Sequence, residues 1–346
     1  MRYTRVAIDS FGYELAPNVI TSAALDDRIA PVYKALRIPP GQIAALSGIR
    51  ERRFWNPGQG MADGALRAAR KALATAAVQV EDIGLLIYGG VCRDNLEPAT
   101  ACAVADGLGL SGHTQVYDVS NACLGVVNGM VQIANAIELG QIRAGMVVSC
   151  ESARQIVDTM IERLLAQPDM ERFKITLATL TGGSGAVAVV LADTSLTRPG
   201  RRLMLGGVTR SAARHHRLCR WGPDTGIPSS APTVMETHAI EVLENGVQLG
   251  IETWRDFVVE LCWPDGVDKT ICHQVGTANR DAILKSLGIP AERDFSTYPY
   301  LGNIGTVSLP ITAAIAEERE FLQPGDRVGF LGIGSGLNCV MLGVEW

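Results

Sequence analysis

Long hydrophobic runs are missing from this sequence, as are a basic excess, paired-cysteine motifs and most aromatic residues. No apolar run approaches the ~18 residues that span a bilayer, so no membrane-spanning helix is expected. The opening stretch Met1–Ile8 is too short and too polar for a secretory signal. Lys and Arg number 31 against 36 Asp and Glu, and a net charge of −5 excludes the basic footprint of a nucleic-acid binder. The cysteines (92, 102, 123, 150, 219, 262, 272 and 339) form no C-x-x-C pair and have no metal-ligand spacing. They read mostly as reduced core thiols of a cytoplasmic protein with no metal site. Aromatics are only 5% of the chain while glycine and alanine abound, which favours close helix-on-sheet packing over an all-β sandwich.

What is present is enough apolar sequence, over 346 residues, for one large or two medium α/β domains. Residues 3–15 read as a strand and turn, and 26–46 as helical with a break at Pro39-Pro40. Ser47–Phe54 reads as a charged, solvated turn. A helix over 61–77 leads to the buried strand 85–89 and, through the loop 91–98, to an Ala-rich helix over 99–108. Strand 116–119 feeds helix 124–139, and strand 144–149 follows.

Glu151–Thr179 is then an amphipathic insertion with Ile156, Met160, Leu164 and Leu165 on one helical face. Such a stripe is usually core; in an enzyme for oily substrates it could line a tunnel, which makes Met160 and Leu164 candidate substrate contacts. Strand 186–191 closes the first half. The run 211–235 carries Arg214, His215, His216, Arg217 and Arg220 among turn formers. It reads as an irregular surface loop or a phosphate site, with Arg217 and Arg220 the candidate contacts. A long helix is expected from about 234 to 261, then strand 270–275, helices 279–287 and 308–321, and strands 327–333 and 338–344. The segments Asp82–Ile87 and Asp268–His273 follow helices in the same way, so the chain is expected to fold as two similar βαβαβ-type halves packed together, 1–195 and 196–346, with the insertion at about 151–180.

The candidate chemistry centres on Asp118–Gly129, where a strand end turns through small polar residues into a helix and Cys123 falls at the junction. The unpaired N–H groups and positive dipole end of that helix favour a thiolate and can hold an oxyanion. A small buried core cysteine is the alternative. His273 ends an apolar strand, where open α/β sheets place ligands, although a lone histidine is commonly a hydrogen-bonded core residue. Asn303 lies in the Gly-rich turn Tyr300–Pro310, which by itself is turn chemistry. Gly332–Leu337 is a Gly-rich turn between strands; no helix follows it, so it is not a dinucleotide fingerprint.

Ser120-Asn121-Ala122-Cys123, His273-Gln274-Val275, Gly302–Ser308 and Gly334-Ser335-Gly336, in this order, resemble the thiolase-like condensing enzymes, most closely the ketoacyl synthase III branch. The resemblance covers nearly the whole chain. It implies a thiolase fold of five αβαβα layers, a tight homodimer, and an acyl group carried as a thioester on Cys123. It also implies His273 and Asn303 as donors to the second acyl thioester, and backbone N–H groups of Cys123 and Ser335 as the oxyanion hole. No cofactor is implied beyond coenzyme A as the substrate's carrier.

Two departures point to a subfamily. Leu46 replaces an arginine, and no tryptophan precedes Gly48, so the fatty-acid enzyme's clamp around the CoA adenine is not reproduced. Glu97, in Asn95–Thr100, matches the glutamate of the OleA-type enzymes, which join two long-chain acyl-CoAs head to head and receive this base from the partner subunit. Asn121–Gly125, Gly334–Cys339 and Gly343–Trp346 also resemble that subfamily. The implied reaction is a non-decarboxylative Claisen condensation of two acyl-CoAs to a 2-alkyl-3-ketoacid, the first step of long-chain olefin biosynthesis. It needs a base at the α-carbon, whereas the alternative, a decarboxylating synthase III using a malonyl thioester, does not. A catalytically silent acyl-binding subunit and a cysteine hydrolase are the remaining readings, and the intact Cys123, His273 and Asn303 disfavour the first of them.

Overall fold

Strands that are apolar on both faces need a covering layer on each side, and this chain is built from such strands. The computed structural model describes residues 1–200, 202–223 and 233–346. The first half runs β1 (Val6–Leu15), β2 (Asn18–Thr21), α1 (Ser22–Arg28), α2 (Ala30–Leu36), α3 (Gln42–Ser47), β3 (Glu51–Phe54) and α4 (Met61–Thr75). It continues through β4 (Ile83–Gly89), α5 (Thr100–Leu108), β5 (Gln115–Val119), α6 (Gly125–Glu138), β6 (Ala144–Glu151), α7 (Arg154–Ala166), α8 (Met170–Leu177) and β7 (Gly185–Asp193). The second half runs β8 (Arg202–Ser211), β9 (Cys219–Pro223), β10 (Thr233–Thr237), α9 (Ala239–Glu260) and β11 (Lys269–Cys272). It ends with α10 (Thr277–Leu287), α11 (Tyr298–Leu301), α12 (Ser308–Glu318), β12 (Arg327–Gly334) and β13 (Asn338–Glu345).

Nine strands are hydrogen-bonded in the order β11-β12-β13-β8-β1-β7-β6-β4-β5. The seam is β1 against β8, antiparallel, at Ala7↔Leu203 and Ile8↔Arg202. Outward from it, each half repeats one plan, counted over its strands in this sheet: its first strand, then its last, its penultimate and its second. The first half adds β5, parallel to β4; at the same place the second half keeps only a single parallel bridge, Thr270↔Asp294. The pairing directions also match, since β4 and β6 are parallel as β11 and β12 are, and β6 and β7 antiparallel as β12 and β13 are.

Side-chain alternation along the strands makes the layers. Leu85 and Ile87 of β4 face a central cluster with α6, α12, β7, β12 and β13. Leu86 and Tyr88 face the other way, into a cluster with α4 and α5. In the second half α9 and α10 cover the outer faces of β12 and β13. The result is five layers, helix–sheet–helix–sheet–helix, as the resemblance implied. The middle layer overrides local preference: α6 begins Gly-Val-Val-Asn-Gly, a poor helix former. A Cβ on Gly129 would stand 2.6 Å from Val147 Cγ2, so glycine lets α6 rest directly on β6. Met130 and Ile133 are fully buried in this layer.

Several expectations need correction. Residues 26–46 form three short helices rather than one broken helix. Ser47–Phe54 is not a solvated turn: Glu51–Phe54 pairs with β2, and Arg52 is fully buried. Glycines 183 and 302 make the room, since a Cβ on either would stand within 3.3 Å of Arg52 Cβ. Burial lowers the Arg52 pKa to about 10, with Asp26 opposing. The region 211–235 includes the hairpin β9–β10, while 224–232 lie outside the described residues. The long helix therefore starts at Ala239, because the β-branched residues before it pair with β9. All eight cysteines are unpaired; Cys150, Cys272 and Cys339 are buried, whereas Cys102 and Cys262 are exposed. Among the described residues no helix is long and apolar enough to cross a membrane.

Candidate active site

The turn that holds Cys123 is made by contacts from both halves. Ala122 has φ +46°, a left-handed conformation that costs a non-glycine residue energy and lifts the next side chain out of the turn. Leu124 N–H donates to Asn121 O at 2.9 Å. In the first turn of α6, Val126 N–H donates to Thr306 Oγ1 of the second half at 2.8 Å. The turn is brought down by bare backbone, for a Cβ on Gly89 would meet Gly125 O at 2.6 Å. Asn338 Nδ2 donates to Asn121 Oδ1 at 3.1 Å, and Asn121 Nδ2 to Asn128 Oδ1 at 2.7 Å. This relay fastens the Gly334–Ser335 turn to the nucleophile turn, and a Cβ on Gly334 would stand 3.5 Å from Cys123 N.

Cys123 keeps part of its surface open, yet burial pushes its thiol up to about 12. Cys219 and Glu151 add to the effect, and its own backbone N–H opposes it. The thiolate expected from the helix end is therefore not the resting form; desolvation outweighs the dipole. His273 follows β11 and is held by its N–H to Leu331 O at 3.0 Å. Its Nδ1 lies 2.8 Å from Ser308 Oγ at the start of α12. Burial lowers its pKa to about 4, so the imidazole is neutral near pH 7. With the serine hydroxyl donating to Nδ1, the proton sits on Nε2 and that nitrogen is a donor.

Asn303 is oriented from both sides. Its N–H donates to Thr181 O at 3.0 Å, and its carbonyl accepts Gly183 N–H at 2.9 Å. Oδ1 accepts Gly305 N–H at 3.1 Å, which leaves the Nδ2 donors for a substrate. Gln274 braces the neighbouring strand end: its Oε1 accepts the N–H groups of Thr297 and Tyr298, at 2.9 and 3.1 Å.

Cys123, His273, Asn303 and Ser335 line one cavity of about 260 Å³. The rest of its wall is largely apolar, from α9 (Val242, Leu243, Gly246), Ile283, Leu331 and Met341. No carboxylate among the described residues lines it. Glu97 is exposed on the loop between β4 and α5 and is not in this wall. Met160 and Leu164 are buried but absent from the wall. Leu164 is taken up by a cluster with Leu25, Ile29 and Phe173, because the apolar stripe of α7 packs on the cap helices α1 and α2. The insertion reaches the cavity only at its end, through Leu177 and Ala178, with Thr181 just beyond it. Arg217 and Arg220 are exposed and do not line it; Arg220 pairs with Glu236 across the hairpin at 2.9 Å. Ser308, the Asn121–Asn338 relay and the α9 wall were missed in the sequence, where only the small residues Gly246 and Gly250 at helical spacing hinted at an open face.

Residues 262–346 match the family described as 3-oxoacyl-[acyl-carrier-protein (ACP)] synthase III C terminal. Two curated relatives, each named acyl-CoA:acyl-CoA alkyltransferase, match over 100% of both chains: one from Shewanella oneidensis at 54% identity and one from Xanthomonas campestris at 38%. The crystal structure of Xanthomonas campestris OleA with bound cerulenin superposes with a TM-score of 0.94 at 37% identity, over 100% of this chain and 98% of that one. A cysteine-to-serine form of that protein holds lauric acid and lauroyl-CoA. Other forms replace a glutamate or a cysteine, and those two positions have the same spacing as Glu97 and Cys123 here.

Proposed function

Because this chain belongs to the acyl-CoA:acyl-CoA alkyltransferases, acyltransferases of the ketoacyl synthase III branch, we propose that it joins two long-chain fatty acyl-CoAs head to head through an acyl-Cys123 intermediate. The Cys123 thiol attacks the first thioester carbonyl, the new C–S bond replaces the bond to CoA, and the thiol proton leaves on CoA. The partner subunit's Glu97 then takes an α-proton from the second acyl-CoA. His273 Nε2–H and Asn303 Nδ2–H stabilise the enolate oxygen. The enolate carbon attacks the Cys123-bound carbonyl, whose developing oxyanion faces the N–H groups of Cys123 and Ser335. Collapse expels the Cys123 thiolate, which recovers a proton. Water then hydrolyses the remaining CoA thioester, giving a 2-alkyl-3-ketoacid and the second CoA.

The observation that carries this reading is that Cys123, His273 and Asn303 share one apolar cavity with no carboxylate among its described lining residues. A condensation that must abstract an unactivated α-proton then draws its base from elsewhere. Glu97 is exposed on the loop before α5, whose first N–H groups are held by Asp118 of β5, and β5 is an outermost strand of the sheet with one edge unpaired among the described residues. A second copy joined along that edge completes both sites by symmetry. The homodimer, a cytoplasmic setting and a role at the head of long-chain olefin biosynthesis belong to the same proposal. The test is incubation with myristoyl-CoA alone and mass spectrometry of the product. A 2-alkyl-3-ketoacid, or the ketone left when it loses CO₂, is expected. Condensation that occurs only when a malonyl thioester is supplied would assign the protein to the decarboxylating branch.

A further inference from the structure

The loop that carries Glu97 is held at three points, and each is a carboxylate that binds two successive backbone N–H groups. Glu151, at the end of β6, accepts Val91 N–H at 2.9 Å and Cys92 N–H at 3.3 Å. Asp94, within the loop, accepts Met61 and Ala62 N–H at the start of α4, at 2.6 and 2.8 Å. Asp118 of β5 accepts Thr100 and Ala101 N–H at the start of α5, both at 2.9 Å. Two further bonds lock the root of the loop: Tyr88 OH donates to Cys92 O at 2.7 Å, and Ser152 N–H to Cys92 Sγ at 3.4 Å. Residues 93–98 of the loop are exposed, with Leu96 90% exposed.

Glu151 is the costly member of the three. It is only 5% exposed, and burial raises its pKa while the bonds from Val91 and Cys92 oppose the rise. A buried carboxylate is expensive unless its acceptors are used, and the described bonds to its oxygens are spent on this loop. It also stands behind the other catalytic turn, since a Cβ on Gly305 would lie 3.4 Å from Glu151 Cγ.

We propose that Glu151, with Asp94 and Asp118, is a positioning residue for condensation: it fixes the loop that delivers Glu97 to the partner subunit's cavity. The inference rests on the reading of Glu97 given above. Glu151→Ala leaves two N–H groups without acceptors and frees the root of the loop, whereas Glu151→Gln keeps one acceptor. A displacement of about 1 Å at a reacting group can cost roughly 10²-fold. Glu151→Ala should therefore lose condensation of myristoyl-CoA by about that factor while Cys123 is still acylated, and Glu151→Gln should fall between it and wild type.

The deciding readout is which subunit's Glu151 matters. Glu151→Ala co-expressed with Cys123→Ala gives hybrid dimers in which one site has an intact Cys123 and an intact loop from the other subunit. Recovery of condensation to the level of a Glu97→Gln and Cys123→Ala pair supports the proposal. No recovery while that control pair recovers would place Glu151 in its own subunit's cavity and overturn it. A control pair that itself fails refutes delivery of Glu97 across the dimer, and the inference falls with it. If Glu151→Ala yields no soluble dimer, Asp118→Ala is read by the same pairing, with recovery supporting the proposal and its absence overturning it.

Discussion

Matching connections in the two halves have opposite fates. The chain leaving β11 crosses to α10 in residues 273–276, so His273 stays at the strand end inside the cavity. The chain leaving β4 takes residues 90–99 to reach α5 and carries Glu97 out to the surface. One strand further on, the halves match again: Cys123 follows β5, and Asn303 lies between the Asp294 bridge and α12. In this matched pair the short connection keeps His273 in the cavity, and the longer one leaves Glu97 exposed. Under the proposed function, the first half supplies the nucleophile and, across a dimer, the base, while the second supplies hydrogen-bond donors.

That division can be broken by separating the half-reactions. Cys123→Ala should abolish acylation by myristoyl-CoA altogether, whereas His273→Ala or Asn303→Ala should leave acyl-Cys123 trapped. Condensation should then fall by roughly 10² or more, the usual cost of an oxyanion donor. Loss of acylation in His273→Ala would make His273 the activator of the thiol and end the division.

The insertion between β6 and β7 occupies the place of the short β12–β13 turn that presents Ser335. Its apolar stripe is scaffold rather than channel wall, since Leu164 is fully buried among the cap helices. Leu164→Ala should destabilise the protein by about 2–5 kcal/mol in denaturant titration and leave chain-length preference unchanged. A shifted preference at unchanged stability would restore a tunnel along α7.

A smaller effect sharpens the role of the second half. Ser308→Ala removes the partner of His273 Nδ1, and condensation should fall roughly tenfold, on the scale of one hydrogen bond. Acylation rates should not change. Equal losses in both half-reactions would mean that Ser308 serves the folding of α12 and not the imidazole.

Much of the fold was legible because the strands of the main sheet are long apolar runs between clear turns. Strand 327–333 was expected, and β12 spans Arg327–Gly334. Helix 124–139 was expected, and α6 spans Gly125–Glu138. Strands β3 and β10 were not legible. Arg52 and Arg53 look solvated in a local window, and only Gly183 and Gly302, far along the chain, make Arg52 a buried residue. Cys123, His273, Asn303 and Ser335 were visible as motifs, and the cavity brings them together. Partners were harder to see, since which hydroxyl meets His273, and which backbone Glu151 holds, are decided by tertiary contacts that no spacing records. Leu164 shows the converse: an amphipathic stripe tells that a face is buried, not what buries it.

The measurement closest to the central claim is the fate of myristoyl-CoA on the Glu97→Gln protein, followed by intact-protein and peptide mass spectrometry. The substitution keeps the shape of the side chain and removes the base. The expected result is a gain of one myristoyl chain on the peptide containing Cys123, with no two-chain product formed. A two-chain product at the wild-type rate would contradict it, leaving Glu97 as an exposed residue before α5 with no part in the chemistry.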